Sequence, residues 1–215
     1  MIGADYVGAF VKVLGNDELF QAGSKTAGRV AKARKQNLQA LNQQPEVARI
    51  TAQVRDNLSK HTVFKQFALP AKFGRVMASR YEPGMEYGTH FDDAFIDGVR
   101  TDLSFTLFLS QPDSYEGGEL ELVTPNGSQA IKLPAGCAIV YPSNQLHGVL
   151  PVTQGTRLAI VGWVQSRIKS NEQRQLLYDL TTAIEGVPIS DGSDANDTAV
   201  KLRFVRNNLL RMWAD

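Results

Sequence analysis

The sequence predicts an α+β fold in which helices come first, a β core follows, and helices return at the end. Three observations carry this. Up to residue 62 the apolar residues recur at helical spacing, as in Val7, Phe10, Val11 and Leu14. From 63 to 166 they fall in short runs separated by Gly, Pro and Asn turns. After 166 the helical spacing returns, in Leu176, Leu177, Leu180 and Ile184. The chain has 215 residues and is 43% hydrophobic, enough for one packed core with a small appendage. The expected division is an N-terminal helical segment over 1–62, a β core over 63–166 and a C-terminal helical extension over 167–215.

Taken in order, residues 1–20 read as a helix, interrupted by Gly23 and Gly28. A basic run follows with Lys25, Arg29, Lys32, Arg34 and Lys35, which reads as a solvated surface. Its alternative is a rim that meets an anionic substrate or a partner. Pro45 suits a first helical turn, and Val47, Ile50, Val54 and Leu58 mark a stripe running to His61. Strands are expected near 63–69, 75–81, 86–92, 102–110, 118–124, 129–133, 137–141, 146–150 and 157–165. Pro125-Asn126-Gly127 is the clearest hairpin signal. Leu103, Phe105, Leu107 and Leu109 alternate with Asp102, Ser104, Thr106 and Phe108. That strand has one apolar face and one mixed face, as expected of a wall lining a polar pocket. A helix is expected over 172–184, a mobile loop over 189–197, and a last helix over about 198–213 with Val200, Phe204, Leu209 and Trp213. The last helices either cover one end of the β core or make a homodimer contact.

Net charge is +1, so no global field pulls the chain toward nucleic acid or an acidic membrane surface. The single cysteine, Cys137, cannot close an internal disulfide and reads as a small core residue. No basic stretch followed by a long apolar run opens the sequence, and no segment approaches a membrane span. A cytoplasmic protein with neither nucleic acid nor membrane as partner is expected.

The chemistry concentrates in Arg80–Asp92, which ends in His90-Phe91-Asp92. Residues i and i+2 of a strand share a face, so His90 and Asp92 can grip one metal ion from one side. Of the other histidines, His61 sits at a helix end as a cap or surface residue, whereas His147 follows one expected strand and starts another. In an antiparallel barrel His147 returns beside His90. Two histidines and one carboxylate on one side of a metal leave positions open, the arrangement of non-haem Fe(II) oxygenases. Arg157, ten residues after His147 (157 − 147), shares a strand face with Ala159, Val161 and Trp163. A guanidinium facing into a barrel calls for an anion, and a dicarboxylate suits its fork. Tyr81 adds a hydroxyl on the strand leading into the metal motif.

Tyr81-x-x-Gly84-x-x-Tyr87-x-x-His90-x-Asp92, followed by His147 and Arg157, resembles the prolyl 4-hydroxylase type of Fe(II)/2-oxoglutarate dioxygenase. The nearer resemblance is to the bacterial PKHD-type hydroxylases, related to the iron-uptake factor PiuC. It extends through Lys25-Thr26-Ala27-Gly28, Arg100–Ser104, Thr106–Ser110, Gly117–Leu120, Leu133–Gly136, Tyr141-Pro142-Ser143, Pro151-Val152-Thr153, Trp163–Ser166 and Asn208–Trp213. The resemblance implies a double-stranded β-helix, or jelly-roll, core with the N-terminal helices packed on it. It implies Fe(II) held by His90, Asp92 and His147, 2-oxoglutarate held by Arg157, and L-ascorbate as reductant. It also implies O₂ as co-substrate and a peptide, protein or iron-linked small molecule as substrate. Two departures are visible. Family members usually carry a strand before the first helix, which leaves the outer edge of the sheet open here. Many 2-oxoglutarate enzymes carry a hydroxyl two residues after the arginine, where this chain has Ala159; Tyr81 or Thr106 is expected to replace it.

Asp92 favours hydroxylation over halogenation, because a halogenase needs that coordination position for chloride. A non-catalytic iron or 2-oxoglutarate sensor is the alternative. A zinc hydrolase fits less well, since no general base stands near the motif and Arg157 would have no task. Substrate choice is expected in the segments 82–89, 93–100 and 111–117, where Asp93, Asp97 and Arg100 supply both charges.

Overall fold

The computed structural model describes residues 2–25, 34–187 and 194–215, with only the backbone of 194–196. Its centre is a pair of antiparallel sheets. The fifteen strands are β1 (Phe20–Ala22), β2 (Lys35–Gln36), β3 (Leu38–Ala40), β4 (Pro70–Tyr81), β5 (Glu86–His90), β6 (Phe95–Ile96), β7 (Val99–Arg100), β8 (Leu103–Phe108), β9 (Tyr115–Gly117), β10 (Leu120–Thr124), β11 (Gly127–Ile131), β12 (Ala138–Pro142), β13 (His147–Val149), β14 (Val152–Gly155) and β15 (Arg157–Ser166). One sheet has six strands in the order β1-β3-β4-β15-β8-β12; the other has five, β11-β10-β13-β5-β2. Two short ribbons, β14-β9 and β6-β7, complete the set. The jelly-roll expectation holds.

Period-2 patterning puts the core on one side of the six-stranded sheet. Leu103, Phe105 and Leu107 of β8 and Leu158, Ile160 and Val164 of β15 face α1 (Ala4–Leu14), α2 (Pro45–Lys60) and α3 (Thr62–Ala68). Those helices answer with Val7, Phe10 and Leu14, then Val47, Ile50, Val54 and Leu58, then Phe64 and Ala68. Val47, Val54 and Leu107 are fully buried, and each such side chain contributes about 1.5–3 kcal/mol. The opposite face of β8 carries Ser104, Thr106 and Phe108 and turns toward the five-stranded sheet. The mixed wall read from the sequence is therefore the lining between the sheets.

Three local expectations are corrected. The strand expected at 63–69 is α3, because Phe64 and Ala68 at i and i+4 bury one face. The His61 ring starts that helix by accepting the Phe64 N–H at 3.4 Å, and Leu69 ends it in a left-handed conformation. The helix expected over 1–20 stops at Leu14. Asn16 there caps a short 3-10 turn by accepting the Glu18 N–H, and the chain extends as β1. β1 and β3 form the outer edge of the six-stranded sheet, beside β4. Residues 194–197, expected in a loop, open α5 (Asp194–Trp213), which follows α4 (Asn171–Glu185). The remainder of that expected loop, and Thr26–Gly28, Arg29 and Lys32, fall outside the described residues.

Turn chemistry behaves as read. Thr124 pairs with Gly127 across the Pro125-Asn126 turn. In the β6–β7 hairpin Asp97 and Gly98 both take positive φ, 51° and 71°, as a tight primed turn requires. The segment 35–40 crosses between the sheets: Lys35 pairs with Tyr87 of β5, whereas Leu38 pairs with Arg80 of β4.

Close approach of the backbone requires glycine at position 117. Gly117 has φ +68°, and a Cβ there would sit 2.0 Å from the Pro151 carbonyl oxygen. Gly117→Ala is expected to lower stability by more than about 1 kcal/mol, whereas Gly8→Ala, with open space around it on α1, should raise it by about 0.5–1 kcal/mol. Urea midpoints at unchanged slope check both.

Candidate metal and co-substrate site

The antiparallel pairing of β13 with β5 sets His147 opposite His90. A bulge follows, so that Val149 pairs with Tyr87 rather than with Gly88. The extra residue turns Tyr87 and His90 to the same face, and their rings stack at 3.7 Å between centroids. Asp92 lies two residues beyond His90 and is held by its own N–H, which donates to the Ser143 carbonyl at 3.1 Å.

The three side chains converge. One ligand atom from each of His90, Asp92 and His147 lies within 4.8 Å of the others. The His90 Nε2 is 3.9 Å and the His147 Nε2 3.8 Å from Asp92 carboxylate oxygens. Each ring's other nitrogen, Nδ1, is 2.8–2.9 Å from a backbone carbonyl, Gly88 for His90 and Gln145 for His147. That contact fixes Nδ1 as the protonated nitrogen and leaves Nε2 with a free lone pair. Burial, then the neighbouring His147 ring, pushes the His90 pKa down, so it is neutral and ready to ligate. Ser104 donates to Asp92 Oδ2 at 2.5 Å and its hydroxyl is 2.8 Å from that of Ser143. Tyr141 packs edge-on against His147 at 5.0 Å. Its phenol faces Thr106 and is kept protonated, because burial and the Asp92 charge both push its pKa up.

Arg157 is 1% exposed, and among the described residues none of its three guanidinium nitrogens has a partner in hydrogen-bond geometry, the Tyr115 phenol lying beside it just short of that. Its guanidinium carbon lies 5.2 Å from the Tyr81 ring centre and 5.4 Å from that of Phe108. Gly118, at φ +66°, makes room for it: a Cβ there would come within 3.0 Å of the arginine's own Cδ. A buried cation left without an anion is strongly unfavourable. The cradle therefore fits one end of a dicarboxylate. Tyr81 stands opposite Arg157 in the register, buried, with its pKa raised by that burial. The Asn37 amide lies beside the Tyr81 phenol, yet neither of its polar atoms reaches hydrogen-bond geometry.

Several residues of this site were not singled out from the sequence: Ser104, Ser143, Tyr141, Tyr115, Asn37 and Ser79. Ser79 stands opposite Ala159, so a hydroxyl does occupy that face one strand away. Tyr115, buried beside Arg157, has an unpaired hydroxyl. Lys35 is not the solvated surface residue expected. It is half-buried, with its amine 5.1 Å from the Tyr87 ring centre. Conversely, two expected mouth charges are committed elsewhere. Asp97 pairs with Arg75, and Arg100 with Asp102 and Asp215.

The comparisons with known proteins agree with this geometry. Residues 76–165 match the 2OG-Fe(II) oxygenase superfamily and residues 171–215 the PKHD-type hydroxylase C-terminal domain. A PKHD-type hydroxylase of Maricaulis maris is 46% identical over 197 residues, covering 91% of this chain and 88% of the relative. The chain belongs to the PKHD-type hydroxylase family. It is thus a dioxygenase-type oxidoreductase, of a family that uses Fe(II), 2-oxoglutarate and O₂. The PKHD-type hydroxylase of Parvibaculum lavamentivorans is 43% identical, covering 94% of this chain and 91% of the relative. Among solved structures, a prolyl-4-hydroxylase of Pseudomonas putida matches with a TM-score of 0.58 at 23% identity, covering 77% of this chain and 89% of that one. At that identity the likeness speaks for the fold. No helix among the described residues is long and apolar enough to cross a membrane.

Ser104→Ala is expected to weaken divalent-metal binding by about 10–100-fold while leaving the circular dichroism unchanged, because the Asp92 carboxylate loses its orienting donor. A Mn(II) titration followed by electron paramagnetic resonance reads this directly.

Proposed function

We propose that this chain is a hydroxylase in which His90, Asp92 and His147 hold Fe(II) and Arg157 holds the far carboxylate of 2-oxoglutarate. The observation that carries the reading is Arg157. A fully buried guanidinium with three unpaired nitrogens, beside an oriented His/Asp/His cluster, asks for a dianion that spans both. Iron and 2-oxoglutarate together supply the power to place one oxygen atom of O₂ in a C–H bond, with 2-oxoglutarate leaving as succinate and CO₂. The protein's own residues do the rest. The Nδ1 contacts aim both imidazoles, and Ser104 holds the carboxylate. Arg157, with Tyr81 beside it, binds and orients the co-substrate's carboxylate, and Phe108 keeps water from the guanidinium. Asn37, Ser79 and Tyr115 offer further polar groups at that end, and Thr106 lies beside the Tyr141 phenol.

Ascorbate is proposed as the reductant that keeps iron in the ferrous state. The primary substrate approaches from the open side, near the exposed apolar side chains Phe91 (65%) and Leu146 (44%), which flank two of the ligands in sequence. A peptide and an iron-linked small molecule both suit such a rim.

His90→Ala is expected to abolish substrate-independent turnover of 2-oxoglutarate; undiminished succinate formation by the purified variant would overturn the iron assignment. Arg157→Met should raise the KM for 2-oxoglutarate by about tenfold or more, since a hydrogen-bonded ion pair is worth roughly 1.5–3 kcal/mol. In an oxygen electrode with Fe(II) and 2-oxoglutarate, the hydroxylase consumes oxygen; a sensor barrel binds both and consumes none.

A further inference from the structure

Lys35 has no task in the metal or co-substrate machinery, yet the fold brings it to that machinery. It stands on β2, opposite Tyr87 of β5. Residues directly opposite across two strands share a face, so Lys35 points where Tyr87 points. That face is the metal face, because the Tyr87 ring stacks on His90. The ammonium ends 5.1 Å from the Tyr87 ring centre and feels the Asp92 carboxylate. Among the described residues it makes neither an ion pair nor a hydrogen bond. Its neighbour Arg34 is turned elsewhere, donating to the Thr89 carbonyl at 3.2 Å and so pinning this edge to β5. Burial without a partner pulls the lysine's pKa down to about 8.

The charge around Lys35 does not balance. Among the described residues Asp92 is the anion it feels, and Arg75 opposes it. On the reading proposed above, Asp92 belongs to the metal. The two charges of Fe(II), with Lys35⁺ and Arg157⁺, then face Asp92⁻ and the two charges of 2-oxoglutarate. Among these groups one positive charge is left over, and Lys35 is the cation without a partner, since Arg157 would pair with the co-substrate from the six-stranded sheet. Lys35 belongs to the edge strand of the other sheet. A compact ammonium in such a place is matched by a compact oxyanion.

We propose that Lys35 anchors a carboxylate of the primary substrate, which makes it a specificity-determining residue for acid-bearing substrates. The proposal rests on the metal and co-substrate assignment made above, and its test reads the two separately. Full-length protein is loaded with Mn(II) and 2-oxoglutarate, so that the Arg157 cradle is filled. N-Acetylglycine or its uncharged analogue N-acetylglycinamide is then added, and the Mn(II)-induced relaxation of the acetyl methyl protons is measured. The acid is expected to bind about tenfold more tightly than the amide, the scale of one hydrogen bond to a charged group. Lys35→Met should bring the two fragments level, and Lys35→Arg should keep the preference. Equal binding of acid and amide by the wild type, or a preference that survives Lys35→Met, overturns the subsite. If Lys35→Met does not fold, the wild-type comparison and Lys35→Arg still decide. Failure of Mn(II) or 2-oxoglutarate to bind the wild type at all would instead strike the underlying assignment.

Discussion

The constraint on which the rest depends is the strand register that sets His147 against His90. The two residues are far apart in sequence, and each is one histidine on a short strand. Pairing β13 with β5 makes them neighbours, and the bulge beside them frees Tyr87 to lie flat on His90. A one-residue slip of β13 would turn His147 to the other face and dismantle the cluster. What pins the register lies outside the cluster: β10 pairs β13 on its far side, with Leu122 opposite His147. Gln145 donates to carbonyls at the same turn and accepts the His147 ring contact.

The second constraint is electrostatic. The six-stranded sheet keeps Arg157 on its inner face beside Tyr81 and Phe108, with no carboxylate within reach. The same sheet presents a largely apolar outer face to the helices, with Arg80 at its end paired to Asp17. Period-2 alternation thus separates two jobs on one set of strands: stability outward, an unpaired cation inward. A buried cation without an anion is costly, which is why Arg157 carries the proposal of a co-substrate carboxylate at this end. On the other sheet Lys35 likewise makes no ion pair among the described residues, on the face that Tyr87 shares with His90.

Much of this was legible in the residues. His90 and Asp92 at i and i+2, and Leu103–Leu109 against Ser104–Phe108, follow from strand periodicity alone. What the sequence hid has physical reasons. Ser104, Ser143 and Ser79 are small polar residues whose role appears only when register places them beside Asp92 or Ala159. Lys35 sat in a basic run, where composition says surface. The spacing Lys35-x-Asn37-x-Gln39 does alternate like a strand with a polar inner face, a signal that the charge run masked. α3 read as a strand because Val63, Phe64 and Phe67 favour β structure, and only burial of Phe64 with Ala68 at helical spacing decides otherwise. The expected use of Arg100 at the mouth failed because Asp102 and Asp215 lie within its reach.

The central claim is that one dianion bridges the His90/Asp92/His147 cluster and Arg157. Its most direct measurement is the visible absorption of the protein under nitrogen, as Fe(II) and then 2-oxoglutarate are added. A weak charge-transfer band is expected that grows with 2-oxoglutarate to one equivalent per chain and bleaches when oxygen is admitted. A protein that binds Fe(II) but develops no such band, at 2-oxoglutarate concentrations that saturate it, would contradict the account.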